Sequence, residues 1–224
     1  MEVITEIIQN IPFPVGASRT VGVHLSSIIR NLAIENGLLK NEDMEELSLI
    51  DIRDLSKLDI VSQIRMSIGL AWEQYYIPLL PNVIDHPGEI ELHGIYMTPD
   101  GKSLSSVLID LKRKYRRVVH EVKATYKSVK TTNGKNWIIQ SGPGGIKHEK
   151  EIRKNFMWMA QLKSYCIAEN TNYAILHVLY LCSDYTFPIR PMLIRYYLTF
   201  TDQELENNMR VMRFHRDRYL MLGE

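Results

Sequence analysis

Residues 91–128 read ELHGIYMTPDGKSLSSVLIDLKRKYRRVVHEVKATYKS, and the fold turns on how this stretch is parsed. Asp100 follows Pro99 at the end of a short apolar run, and the chain returns through a second β-like run carrying Glu121 and Lys123. In VVHEVKATY, Val119, Glu121, Lys123 and Thr125 alternate onto one face, and Val118, Val122, Ala124 and Tyr126 take the other. The second set suits a sheet packed on a core, which leaves a carboxylate and an ammonium side by side on the first face. With Asp100 arriving from a neighbouring strand, two carboxylates converge beside one lysine. Two carboxylates attract a hard divalent ion, and Mg²⁺ usually takes one or two of them while keeping several waters. A lysine alongside can hold or deprotonate a water, and the ion stabilises charge on a phosphate under attack. The plain alternative is an exposed cross-strand ion pair of little energetic value.

Pro99-Asp100 followed by Glu121-Val122-Lys123 resembles the signature of the PD-(D/E)xK nuclease superfamily. A second acid-x-Lys, Asp110-Leu111-Lys112, runs straight into KRKYRR and reads as a solvated, highly charged turn. Two further elements narrow the resemblance. In EKEIRKNFMWMAQLKSYCIAEN, Gln161 and Tyr165 are spaced i, i+4 and share a helix face. QxxxY after the acid-x-Lys strand, followed by an apolar strand such as YAILHVLYL, is similar to the RecB-like branch. Upstream, Glu73 in the helix-like SIGLAWEQYY stands where these enzymes often place another acidic residue. Its neighbours Trp72, Tyr75 and Tyr76 suggest a partly buried setting, where an unpaired carboxylate is costly. From Glu73 to Leu181 the order and spacing resemble a RecB-like exonuclease of bacteriophage type.

That resemblance implies an α/β (α+β) fold with a central mixed β-sheet flanked by helices, the restriction-endonuclease-like core. It implies Mg²⁺ or Mn²⁺ held by Asp100, Glu121 and the carbonyl of Val122, with Glu73 in support. Lys123 would orient the attacking water, and Gln161 and Tyr165 would hydrogen-bond the DNA phosphate or that water. The implied activity is a DNA exonuclease serving phage recombination, end processing or DNA degradation. The rivals are a structure-specific or restriction-type endonuclease and a DNA-binding protein with a degenerate site; the intact trio argues against the latter. Some RecB-like members carry an acid after the glycine where GIYM has Met97, so the strand acid falls to Asp100.

The 224 residues are read as one domain, with a helical part over 1–70, a catalytic core over 71–200 and a C-terminal helix over 201–224. Hydrophobic content of 45% and charged content of 24% are ordinary for a globular protein. No apolar run reaches the roughly 18 residues of a membrane span, and MEVITEIIQN lacks the basic start of a leader, so a cytoplasmic protein without membrane partners is expected. Cys166 and Cys182 lie in apolar contexts and are expected to stay reduced. Two cysteines are too few for the four-cysteine iron–sulfur cluster that some RecB-like nucleases carry.

The net charge of +1 hides an asymmetry: residues 111–160 hold 13 Lys or Arg against 3 Glu, leaving 14 basic against 23 acidic residues elsewhere. Basic residues gathered around the acid-x-Lys strand suit contact with DNA. SVKTTNGKNWIIQSGPGGIKHEK is long for a plain connection. Lys127, Lys130, Lys135 and Lys147 are expected to meet phosphates of linear DNA or single-stranded ends there, with a base stacking on Trp137. A flexible hairpin insertion is the bland alternative. The resemblance spans monomers and rings that encircle DNA, which leaves a homo-oligomer or a phage recombination protein open as partners.

Local signals place the remaining elements. VHLSSIIRNLAIENGLL carries a helical stripe of Leu25, Ile28, Ile29, Leu32 and Ala33 closed by Gly37, with His24 at its start. VSQIRMSIGLAWEQYYIPLL is a helix broken by Pro78 and Pro81, and residues 149–170 form one that buries Ile152, Phe156, Met159 and Leu162. YAILHVLYLC reads as a central buried strand and PMLIRYYLTF as one more. TDQELENNMRVMRFHRDRYL closes as a helix, with Thr201 as N-cap and Glu204 completing a capping box. His93 and His120 show no metal-ligand spacing.

Overall fold

The computed structural model describes residues 20, 22–39, 60–109, 112–126, 155–182, 185, 187 and 189–222, and it sets the acid-x-Lys run at the centre of a five-stranded sheet. In chain order the elements are β1 (Val23–His24), α1 (Leu25–Glu35), α2 (Ile60–Tyr76), β2 (Val83–Asp85), β3 (Ile90–Leu92) and β4 (Ile95–Met97). Then come β5 (Gly101–Ile109), β6 (Lys112–Thr125), α3 (Phe156–Ala168), β7 (Tyr173–Tyr180), β8 (Met192–Thr199) and α4 (Asp202–Leu222). The large sheet runs β2-β5-β6-β7-β8, and a small one runs β1-β4-β3. β6 pairs antiparallel with β5 but parallel with β7, a step that requires a crossover, and α3 lies in it. The fold is the expected mixed sheet flanked by helices.

Two expectations are corrected. KRKYRR is strand rather than turn: residues 112–117 pair with 104–109, so β5 and β6 form one long hairpin. A strand partner satisfies the backbone of this charged run, and Arg116 and Arg117 are exposed. Nor is the core confined to the Val118 and Val122 face of β6. Val119 packs with α1, α3 and α4 residues such as Leu32, Leu162 and Met209, while Val122 packs with Tyr76, Ile77 and Leu80 on the opposite side. A strand paired on both edges and covered by helices on both faces is buried on both.

The helices follow their stripes and caps. All five stripe residues of α1 are buried, and Gly37 closes it at φ +65°, where a side chain would strain the backbone. α2 gives way at Tyr76 to a 3₁₀ turn, Ile77–Leu79, that accommodates Pro78. Asn155 caps α3 by accepting the Trp158 amide at 3.3 Å, and Met159 and Leu162 are buried. At α4 the capping box is complete: the Glu204 amide donates to Thr201 Oγ1 at 3.2 Å and the Thr201 amide to Glu204 Oε2 at 2.9 Å. Both cysteines are free, and burial pushes the Cys166 thiol up. No helix among the described residues is long and apolar enough to cross a membrane. Ile152 and the proposed DNA contacts Lys127, Lys130, Lys135, Trp137 and Lys147 lie outside the described residues.

Candidate active site

Gly101 at the head of β5 is level with His120 on β6, which brings Asp100, one residue earlier, beside Glu121, one residue later. A Cβ on Gly101 would stand 2.8 Å from Val83 Cγ1, so the bare glycine lets β2 close against this point. Asp100 Oδ2 accepts the Val122 amide at 2.7 Å, which fixes its side chain against the strand. Glu121 is fully buried at 0% exposure and Asp100 retains 9%. Lys123 Nζ makes an ion pair with Glu121 Oε1 and keeps 26% of its side chain exposed. Glu121 thus departs from the plain surface ion pair: neither of its oxygens reaches solvent or accepts a well-directed hydrogen bond.

The electrostatics follow from that burial. Desolvation, reinforced by the Asp100 charge, drives the Glu121 pKa well above the ordinary carboxylate range, and Lys123 only partly opposes it. Desolvation also raises Asp100, against the pull of Lys123 and the Val122 amide. Burial alone would lower Lys123, but Glu121 and Asp100 lift its pKa above that of a free lysine. Glu73 on α2 adds its charge to both effects, while its carboxylate is 3.7 Å from His86 Nδ1. The His86 amide donates to the Asp100 carbonyl at 3.1 Å, tying that turn to the site. On α3, which packs on the Glu121 face of β6, Gln161 Nε2 donates to Tyr165 Oη at 2.8 Å. Tyr165 is buried, so its hydroxyl braces the glutamine.

Two buried carboxylates pressed together, with Lys123 paired to one of them, suit a small divalent cation that takes two carboxylates and completes its shell with water. Among the described residues no three His, Cys, Asp or Glu side chains are grouped to hold a metal.

On the other face of the same strands lies a chain of contacts that the sequence reading did not find. Arg195 Nε donates to Tyr76 Oη at 2.9 Å, and Tyr76 Oη meets His177 Nδ1 at 3.1 Å. His177 Nε2 meets His120 Nδ1 at 3.1 Å, and His120 Nε2 meets Ser103 Oγ at 2.7 Å. Burial, aided by Arg195, lowers His120 to about 4; burial, with His120 and Arg195, lowers His177 to about 3. With both rings neutral, one run of donors from Arg195 through Tyr76, His177 and His120 to Ser103 satisfies every link. The signal in the sequence was a histidine inside the apolar run YAILHVLY, a buried polar group that must find a partner.

No protein-family model matches the sequence, and no curated protein matches it. Among solved structures, the chain is similar to a phage-related exonuclease from Haemophilus somnus 129PT, at 10% identity and a TM-score of 0.47 over 91% of this chain and 97% of that one. It is likewise similar to LHK-Exo in complex with dAMP, at 11% identity and a TM-score of 0.47 over 88% of this chain and 87% of that one. The structure of SSO0001 overlaps 93% of this chain and 80% of its own, at 13% identity and a TM-score of 0.44.

Proposed function

We propose that the chain is a divalent-metal-dependent deoxyribonuclease that degrades DNA from its ends, in phage recombination, end processing or DNA degradation. The observation that supports this reading is the fully buried Glu121 carboxylate, level with Asp100 and ion-paired with Lys123. Left alone, that cluster is costly; a bound cation offsets it. Asp100, Glu121 and the Val122 carbonyl would hold Mg²⁺ or Mn²⁺, with Glu73 in support, and the ion would supply charge stabilisation at the phosphate under attack.

The chain's own groups divide the remaining work. Lys123, ion-paired with Glu121, would orient the attacking water. Gln161 gives its amide nitrogen to Tyr165, which leaves its carbonyl oxygen to accept from the same water. The local excess of basic residues over 111–160 supports DNA as the substrate, with Lys127, Lys130, Lys135, Lys147 and Trp137 as proposed contacts.

Digestion of end-labelled linear DNA against covalently closed circular DNA, with Mg²⁺ or with EDTA, tests the reading. Loss of the linear form alone, and only with metal, is expected. Cutting of the circle would make the enzyme an endonuclease, and no cutting of either would remove the nuclease assignment. Lys123→Ala should keep DNA binding and lose cleavage by orders of magnitude; cleavage at the parent rate would exclude this site.

A further inference from the structure

β2 pairs with β5 so that Asp85 stands opposite Gly101, which brings the next residue, His86, level with Asp100. The His86 amide donates to the Asp100 carbonyl at 3.1 Å, and its ring nitrogen Nδ1 lies 3.7 Å from Glu73 Oε1 on α2. One residue thus bridges the turn that carries Asp100 and the helix that carries Glu73. Its backbone is unusual: φ is +42°, in the left-handed region, although Pro87 follows and pushes its predecessor toward extended backbone. Strained residues of this kind persist where their surroundings hold them, and they gather at functional sites. The pairing of β6 with β5 runs as far as His120 opposite Gly101, and β6 continues from Glu121 to Thr125 alongside β7. His86 stands where β5 leaves that edge, beside the first of the two carboxylates.

We propose that His86 is a positioning residue of the candidate metal centre: anchored on the Asp100 carbonyl, its ring holds the Glu73 carboxylate toward the cation that Asp100 and Glu121 would share. The role rests on the nuclease reading, which supplies the cation. Glu73 needs such a hold because its charge is repelled by Glu121, and a glutamate on a half-open helix end can otherwise turn to water. An imidazole within ion-pair reach opposes that repulsion from the far side of the carboxylate. Residues that orient a metal-binding carboxylate from behind are worth about 10–100-fold in metal affinity. The His86 side chain is 46% exposed, so water competes for Glu73 and the effect falls at the lower end, about tenfold.

The test is calorimetric titration of Mn²⁺ into the full chain without DNA, which needs no catalysis. Glycine takes a positive φ freely and keeps the amide bond to Asp100, so His86→Gly removes the ring and leaves the backbone as it is. It should bind Mn²⁺ about tenfold more weakly than the parent. His86→Asn puts a side-chain nitrogen where Nδ1 stands, tolerates the same φ, and should restore most of that loss. In a Glu73→Gln background, His86→Gly should change Mn²⁺ affinity no further, because the group it positions is gone. Parent-like affinity in His86→Gly would overturn the role, as would a full tenfold loss in the Glu73→Gln background or an asparagine as weak as glycine. The parent keeps the two ideas apart. Mn²⁺ bound equally by the parent and His86→Gly removes the positioning role and leaves the metal centre standing; a parent that binds no Mn²⁺ removes the metal centre and the role with it.

Discussion

Replacing Lys123 by Met removes the ammonium that faces Glu121 and leaves a methionine-length apolar chain in its place. What remains is a fully buried carboxylate beside a second one that is 9% exposed. Removing one partner of a buried pair costs about 3–5 kcal/mol, whereas an exposed pair is worth about 0.2–1 kcal/mol. Lys123 keeps 26% of its side chain in contact with solvent, which puts the expected loss at the lower end, about 3 kcal/mol. At about 2–4 °C per kcal/mol for a chain of this size, the melting temperature should fall by about 6–12 °C. Thermal unfolding at pH 8 in EDTA measures it. Adding Glu121→Gln to Lys123→Met removes the stranded charge and should return most of the loss, a coupling of about 2 kcal/mol. Saturating Mg²⁺ should stabilise the Lys123→Met protein, because the two carboxylates then have a cation to share. A Lys123→Met protein that melts with the parent in EDTA would refute the buried pair and the cation argument built on it.

The Glu121 pKa is raised in the fold, so its contribution to stability is present below its ordinary value of 4.5 and is lost as the pH rises. Glu121→Gln should therefore melt above the parent in EDTA at pH 8, with the gap closing toward pH 5; a gap that widens on acidification contradicts the assignment. The histidine pair has the opposite sign: with both pKa values lowered from 6.5, it contributes stability that is present above pH 6.5 and is lost as the pH falls toward about 4. In the Asp100→Asn/Glu121→Gln double variant, freed of the opposing carboxylates, denaturant titrations should show a steady decline across that window, and a flat profile would count against neutral buried rings. Tyr76→Phe deprives both Arg195 and His177 of their partner and should cost about 1–3 kcal/mol in urea unfolding, where a change below 0.5 kcal/mol would show the links to be weak. Glu204→Ala opens the capping box of α4 and should cost about 1 kcal/mol by the same measurement, with no effect at all as the disproof.

Features written locally were legible in the sequence. The α1 stripe, the Thr201 end of the last helix and the alternation of VVHEVKATY need only near neighbours, and each is where the spacing put it. The pairing of Asp100 with Glu121 was legible because a motif spacing stands in for a contact between strands. KRKYRR misled because its five charges mask a β-strand whose partner, β5, supplies the backbone bonds from residues 104–109. The burial of Glu121 was hidden for a related reason: alternation shows that two faces differ, but not that helices cover both. His120 and His177, 57 positions apart, meet only through the parallel register of β6 with β7, which no periodicity encodes.

The chain from Arg195 to Ser103 has a consequence for how this sequence can change. It takes one residue from α2 and one from each of β5, β6, β7 and β8, and each link joins two different elements. An apolar replacement of Tyr76, His120 or His177 takes a partner from a buried ring on another element, so each of those single steps is costly, while joint replacement of both histidines by well-packed apolar residues can approach neutrality. His120 and His177 therefore behave as a single heritable character spread over two distant codons: under mutation they are epistatic, and a lineage that alters one is under pressure to alter the other before it can drift further.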